Sequence, residues 1–362
     1  MKLLFILQWR ADAGSIQAVA SYVQVGNALG HEVAVYGRPG VDFPGLPCSL
    51  DAERFDHVVF IFESLLQWMR PLQAVRLLAG VPPEKRVVLD ADGMLNDTIV
   101  VDGYDRNHLG EDDRQAWATF LGQLGGTILQ PTLAQPRQPD ALALPFYGYD
   151  PGAVVRPGPG AKPYDVLYVG HNWWRWKEFN DDLLPAIERV RQQIGPICFL
   201  GLWWDVEAPR AGGSPYEMAF RVDGRWLRRL GIQVRPPVPY TDVIPTMGQA
   251  RVNVMTQRPL LRHLKHLTSK YFELFCADTV PLVMLDPEHA VLVYGPAGRE
   301  LALYPSMPEG IGGKLVDVLE RPERYQAIVA DARRHLVAHH SYHQRVRELM
   351  AALESPAEAR PM

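Results

Sequence analysis

Residues 149–169 read YDPGAVVRPGPGAKPYDVLYV. The first fifteen of these hold four prolines and three glycines, a composition that supports neither a helix nor a central strand, because proline lacks the amide donor and fixes its own φ. The last six, Tyr164 to Val169, form an apolar run ended by Gly170, which is the signature of a buried strand. The chain therefore stops one folding pattern at about residue 150 and begins another at 164.

Working outward from that break, the same alternation stands on both sides. Upstream, apolar runs at 2–7, 31–37, 57–62, 86–90 and 126–131 predict strands. Between the first two, residues 15–30 predict a helix with Ser15 as N-cap, an apolar face at 16, 19, 20 and 23, and Gly30 as the stop. Downstream, strands are predicted at 164–169, 196–202, 232–235, 251–255, 280–285 and 291–294, with helices near 177–194, 216–230, 241–249 and 268–277 and a polar helical stretch over 322–353. Short apolar runs alternating with helices predict parallel sheets covered on both faces. The expectation is α/β: a doubly wound domain over 1–150, a linker over 151–163 and a second doubly wound domain over 164–362.

Length and composition agree. A chain of 362 residues exceeds the roughly 250–300 at which single cores stop growing. Hydrophobic content of 47% and charged content of 22% are those of a folded, water-soluble protein. No window reaches the roughly 18 apolar residues of a membrane span, and the apolar stretch near Met1 is too short for a signal peptide. Three scattered cysteines, Cys48, Cys198 and Cys276, fit neither a disulfide framework nor a zinc site. A cytoplasmic protein is expected. Residues 1–150 carry 11 basic against 18 acidic residues and the remainder 26 against 23, so the second half is the better host for an anion. No basic run or basic helix face points to nucleic acid.

The most informative block is RVNVMTQR at 251–258, followed by SKYFELFCADTVPLV at 269–283. It resembles the group 1 glycosyltransferases, and within them the spore-maturation CgeB type, in which a strand ending in Asn and, a few residues on, Arg precedes a helix opening Ser/Lys-x-x-Phe-Glu and a turn into Pro and the next strand. The resemblance covers residues 164–300; the first half joins it by fold alone. It departs at Asp278, where the family usually has Gly.

The resemblance implies two Rossmann-like domains facing a central cleft, the GT-B fold. It also implies transfer of a sugar from a nucleoside-diphosphate donor (UDP, GDP or dTDP) to a hydroxyl-bearing small molecule, without metal or bound cofactor, by a monomer or homodimer. Ser269 would cap a helix whose positive end attracts phosphate, Lys270 would add a full charge, and Glu273, on the same face, would accept from ribose hydroxyls. Arg258 would hold a second phosphate oxygen. A non-catalytic sugar-nucleotide-binding protein and a sugar-nucleotide epimerase share the same plan.

Further candidates lie at strand ends, where sites on such sheets gather. The loop after the first strand offers Asp12 as a base and Gly14 for close backbone approach. It lacks the G-x-G-x-x-G of dinucleotide folds. Asp90 and Asp92, two apart, are expected on one side of the chain, with Asp92 the first choice of base. The sequence GHNWWRW at 170–176 places Gly170, His171 and Asn172 near the donor, with Trp173 and Trp174 as an aromatic wall. The basic stretch 262–266 reads as an exposed loop, and the histidines at 335, 339, 340 and 343 as a solvated helix face.

Overall fold

The computed structural model describes residues 1–7, 14–62, 80–91, 93, 126–136, 141–155, 160–172, 174–205, 222–304 and 309–354. Asp12, Asp92 and Trp173 lie outside the described residues.

The first sheet consists of β1 (Lys2–Ile6), β2 (Glu32–Tyr36), β3 (Cys48–Ser49), β4 (His57–Phe62), β5 (Arg86–Asp90), β6 (Thr127–Gln130) and β7 (Ala141–Ala143). The strands lie in the order β3-β2-β1-β4-β5-β6-β7, all parallel. The second consists of β8 (Tyr164–Val169), β9 (Ile197–Leu200), β10 (Ile232–Arg235), β11 (Ala250–Met255) and β12 (Val280–Val283), in the order β10-β9-β8-β11-β12, again parallel. Strand order reverses between β1 and β4 in one sheet and between β8 and β11 in the other. At such a switch point successive connections leave on opposite faces, and a crevice opens beyond the strand ends.

The strand interiors are apolar along their length because helices cover both faces. Leu3, Leu4 and Phe5 of β1 and Val166 and Leu167 of β8 are fully buried. The predicted strands are present with ends shifted by at most two residues, apart from 291–294. That apolar run belongs to a helix, Pro287–Tyr294, whose start is fixed by the Asp286 carboxylate accepting from the amides of Glu288 (2.7 Å) and His289 (3.2 Å). The first helix begins at Gly14, so Ser15 sits inside the first turn and not at the cap. The expected helix at 177–194 opens as a π-helix, Glu178–Leu183, before the α-helix Leu184–Val190. Pro185 stands at the junction, where its missing amide and its ring oppose a regular α-turn.

Among the described residues the halves meet at several places. Residues 131–132, beyond β6, run against 264–267: Thr132 and His266 form an antiparallel bridge, and the Leu267 amide donates to the Pro131 carbonyl at 2.6 Å. At the C-terminus, the helix Pro322–His340 packs on β12, and the last helix, Tyr342–Glu354, packs against the first helix, Gly14–Ala28. Tyr22 stacks on Phe146 (4.9 Å, 10°) and meets Tyr342 edge-on (5.9 Å). Arg345, 1% exposed, donates to the Tyr147 carbonyl at 3.1 Å and contacts His340 and Glu348. His340 is therefore a buried packing residue and not part of a solvated face; burial first, and then Arg345, push its imidazole down to about 3.

Arg345→Ala leaves the Tyr147 carbonyl and Glu348 without their cation, and is expected to destabilise the fold by about 3 kcal/mol, read from the urea midpoint.

Candidate functional site

At the switch point of the second sheet the ends of β8 and β11 enclose a small cavity, lined among others by Tyr168, Val169, Arg175, Thr256 and Lys270. Two cations, one from the tryptophan-rich loop and one from the helix Lys270–Cys276, thus converge where the two connections part. Arg175 Nη1 donates to the Thr256 carbonyl at 2.6 Å. The Thr256 hydroxyl donates to Tyr168 Oη at 3.2 Å.

Lys270 Nζ lies 3.3 Å from Glu273 Oε2, and Tyr240 Oη donates to Glu273 Oε1 at 2.8 Å. Glu273 is 4% exposed, so its carboxylate is already held on both oxygens; each keeps a second lone pair for a further donor. Tyr240 was not singled out in the sequence. Burial and the adjacent carboxylate raise its phenol far above its ordinary value, which keeps it a donor.

Ser269 stands at the cap position but its backbone is helical and its hydroxyl makes no capping bond. The amides of Tyr271, Phe272 and Glu273 donate to the carbonyls of Thr268 and Ser269. Positive charge at this end therefore comes mainly from side chains. Arg258 follows β11 with extended backbone, half-buried, at the head of the short helix Pro259–His263.

Asn253, the asparagine of the quoted block, is a structural residue. Its amide donates to the Met247 carbonyl at 2.7 Å and to Thr279 Oγ1 at 2.9 Å, tying β11 to the turn before β12. Asp278 pairs with Lys162 at 2.8 Å, and Lys162 also donates to the Gly248 carbonyl at 2.9 Å. Asp278 thus anchors the segment that leads into β8.

The tryptophan-rich loop differs from expectation. Asn172 is fully buried and donates through Nδ2 to the Trp203 carbonyl at 2.9 Å. His171 Nδ1 accepts from the Leu202 amide at 3.0 Å, and the Gly170 carbonyl accepts from Trp204 Nε1 at 2.7 Å. These groups zip the loop after β8 to the loop after β9, and it is Tyr168 and Val169 that line the cavity. Trp174, 4% exposed, and Trp176, 6% exposed, are core residues and not a wall. Trp204 is fully buried within 4.9–5.4 Å of Phe179, Phe199 and Tyr168. Nothing in the residue types distinguishes a core tryptophan from a lining one; only the loop pairing does.

The first domain presents Gly14 directly to the second. A Cβ on Gly14 would lie 2.3 Å from Ser269 Oγ and 2.9 Å from Ser269 Cβ, so the close backbone approach expected at this glycine is made to the helix that carries Lys270. Asp90 is fully buried and accepts from Gln130 Nε2 at 3.0 Å, an interior position that braces the end of β5. The stretch 262–266 is only partly exposed: His263 and Lys265 face solvent while Leu264 and His266 are buried, and burial pushes the His266 imidazole down to about 3. Among the described residues no group of three or more His, Cys, Asp or Glu side chains is placed to hold a metal, and no helix is long and apolar enough to cross a membrane.

Residues 206–351 match the family model described as glycosyl transferase-like. No curated protein sequence matches the chain. Among solved structures, T4 phage β-glucosyltransferase in complex with UDP-glucose is 12% identical, with 98% of this chain and 100% of that one covered and a TM-score of 0.58. HepE from Anabaena, in complex with UDP and glucose, is 11% identical over 98% and 100% of the two chains at a TM-score of 0.64. Sucrose-phosphate synthase from Thermosynechococcus elongatus is 8% identical over 97% and 100% at 0.60. The T4 enzyme is also known with UDP and Mn²⁺. The chain has the GT-B fold, and part of its second half is similar to the glycosyl transferase-like model.

Three substitutions check this geometry. Gly14→Ala should destabilise the protein by about 1–3 kcal/mol through overpacking, and Ser269→Gly in the same chain should restore most of the loss in a denaturation double-mutant cycle. Trp174→Ala should lower stability by about 3–5 kcal/mol; a smaller loss than 1 kcal/mol would return Trp174 to the surface.

Proposed function

We propose that the protein transfers a sugar from a UDP-type donor to the hydroxyl of a small-molecule acceptor. The observation that carries this reading is the convergence of Arg175 and Lys270 on one cavity at the β8/β11 switch point, beside a buried carboxylate, in a chain of GT-B fold with similarity to the glycosyl transferase-like model. A departing nucleoside diphosphate develops negative charge, and cations fixed in advance in a partly desolvated cleft stabilise it without reorganising. Lys270 and Arg175 take the diphosphate, with Arg258 at the same edge. Glu273, oriented by Tyr240, accepts from the ribose hydroxyls. On this reading the diphosphate replaces Glu273 as the partner of Lys270 and no metal ion is required.

The acceptor enters from the first domain. Support comes from a groove at the ends of β1 and β2 that includes Leu7, Tyr36, Phe43 and Leu50 among its lining residues, and from the approach of Gly14 to the donor-side helix. The base that takes the acceptor proton is Asp92 or Asp12, with Asp90 bracing the strand from which Asp92 follows. Contact between the domains excludes water, so that transfer outruns hydrolysis of the donor. The acceptor is taken to be a small molecule and not a nucleic acid, given a net charge of −4 and no basic run.

A thermal-shift series with UDP, GDP, dTDP and CDP should single out UDP, with a stabilisation of about 2.7 kcal/mol at a hundredfold excess over Kd. Lys270→Ala and Glu273→Gln should each weaken UDP-sugar binding by about 2 kcal/mol, roughly thirtyfold, and EDTA should leave turnover unchanged. Wild-type affinity in both variants would remove these residues from the donor site.

A further inference from the structure

The turn Thr256-Gln257-Arg258 carries β11 out of the sheet at the switch point, and no regular element includes it. It is held by a side chain from another part of the domain. Glu178, 3% exposed at the start of the π-helix, accepts the Gln257 amide on Oε2 at 3.0 Å and Arg262 Nη1 on Oε1 at 3.1 Å. Around this clamp the side chain of Gln257 is engaged at both ends by other elements. Its Oε1 accepts from Tyr271 Oη at 2.6 Å and its Nε2 donates to the His266 carbonyl at 2.6 Å. Arg175, three residues before Glu178, holds the Thr256 carbonyl.

We infer that Glu178 is a positioning residue for the donor: by clamping the Gln257 amide and the Arg262 guanidinium, it fixes the 256–258 turn, and with it Thr256 and Arg258, against the site of the diphosphate. The inference rests on the donor-site reading above. Glu178 does not itself line the cavity, and it acts through the turn.

The arrangement makes donor affinity depend on pH. Burial raises the Glu178 carboxyl to about 7, against the opposing pull of Arg262, the Gln257 amide and Arg175. Asp182, one turn on, also has a raised carboxyl, mainly through burial and opposed by Arg262. The other facing groups are the phenols of Tyr168 and Tyr271, both raised by burial and therefore neutral across the range. Above about 7, Glu178 is an anion and a strong acceptor for both donors. As pH falls through 7 it takes a proton, one of its oxygens becomes a donor, and the clamp weakens. Donor affinity should therefore fall as the solution is acidified.

The test is titration of the full chain with UDP-glucose between pH 5.5 and 8.5, followed by calorimetry. UDP-glucose is the probe because its phosphates carry no proton with a pKa near 6, unlike the terminal group of a phosphate monoester. Wild type should lose about tenfold in affinity from pH 8.5 to 5.5. Glu178→Gln should bind about tenfold more weakly at pH 8.5 and show a flat profile. Arg262→Gln removes a charge that favours the carboxylate, so its break should move to higher pH, which a merely destabilised fold would not produce. An unchanged profile in Glu178→Gln, or an unmoved break in Arg262→Gln, overturns the inference while leaving the donor site standing. Absence of UDP-glucose binding to wild type at every pH overturns both.

Discussion

Burial of parallel strands on both faces is the constraint from which the rest follows. A strand covered above and below by helices has no solvated side on which to keep a charged group, and an unpaired buried charge is too unfavourable to retain. The few polar residues within the strands or at their ends are accordingly locked to partners: Asn253 to Met247 and Thr279, and Asp90 to Gln130. Chemistry is displaced to the strand ends. It collects where strand order reverses, because only there do the covering helices part, and the second sheet has its cavity at that point.

The cavity's charges are held in advance. Lys270 pairs with Glu273 and Arg175 with a carbonyl, and beyond the cavity Arg262 pairs with Glu178. Each cation has a partner before any ligand arrives, so on the proposed donor reading a diphosphate must displace or share that partner. Such competition costs affinity for the free nucleotide, yet it keeps the cations in place. Glu178 takes the opposite part: a carboxylate kept from water by the fold, whose two acceptors order a turn that the backbone alone leaves unsupported.

How much of this was legible follows from the same constraint. Strands buried on both faces read as continuous apolar runs, so most of both sheets could be placed from sequence. β3 and β7, two and three residues long, carry too little pattern. Residues 291–294 misled because Val-Leu-Val-Tyr is strand-like in composition; Asp286-Pro287, an N-cap followed by proline at the first helical position, was the signal to weigh against it. Lys270 and Glu273 stand in a recognisable motif, whereas Arg175 lies unmarked among tryptophans. Glu178 could not have been found. Its role depends on desolvation and on an amide and a guanidinium 79 and 84 residues away in sequence, which no local pattern records.

The tryptophans have a physical role of a different kind from lining a pocket. Trp174 and Trp203 both adopt positive φ, 54° and 66°, a conformation that bulky residues rarely take and that is estimated at about 1–3 kcal/mol each. It persists because the two loops over-determine each other. Gly201, at φ 153°, has no room for a Cβ, which would fall 2.1 Å from the Gly170 carbonyl; that same carbonyl accepts from Trp204, and Trp204 closes the aromatic cluster beneath. Loops held this tightly are a poor place for a moving lid. They form a rigid shelf that sets the direction of Arg175 and of the π-helix behind it. Any change of cleft width must then be taken up at the contacts between the domains, at Gly14 with Ser269, at residues 131–132 with 264–267 and where the last helix packs on the first, and of these the first two rest on only a few backbone bonds and one missing side chain.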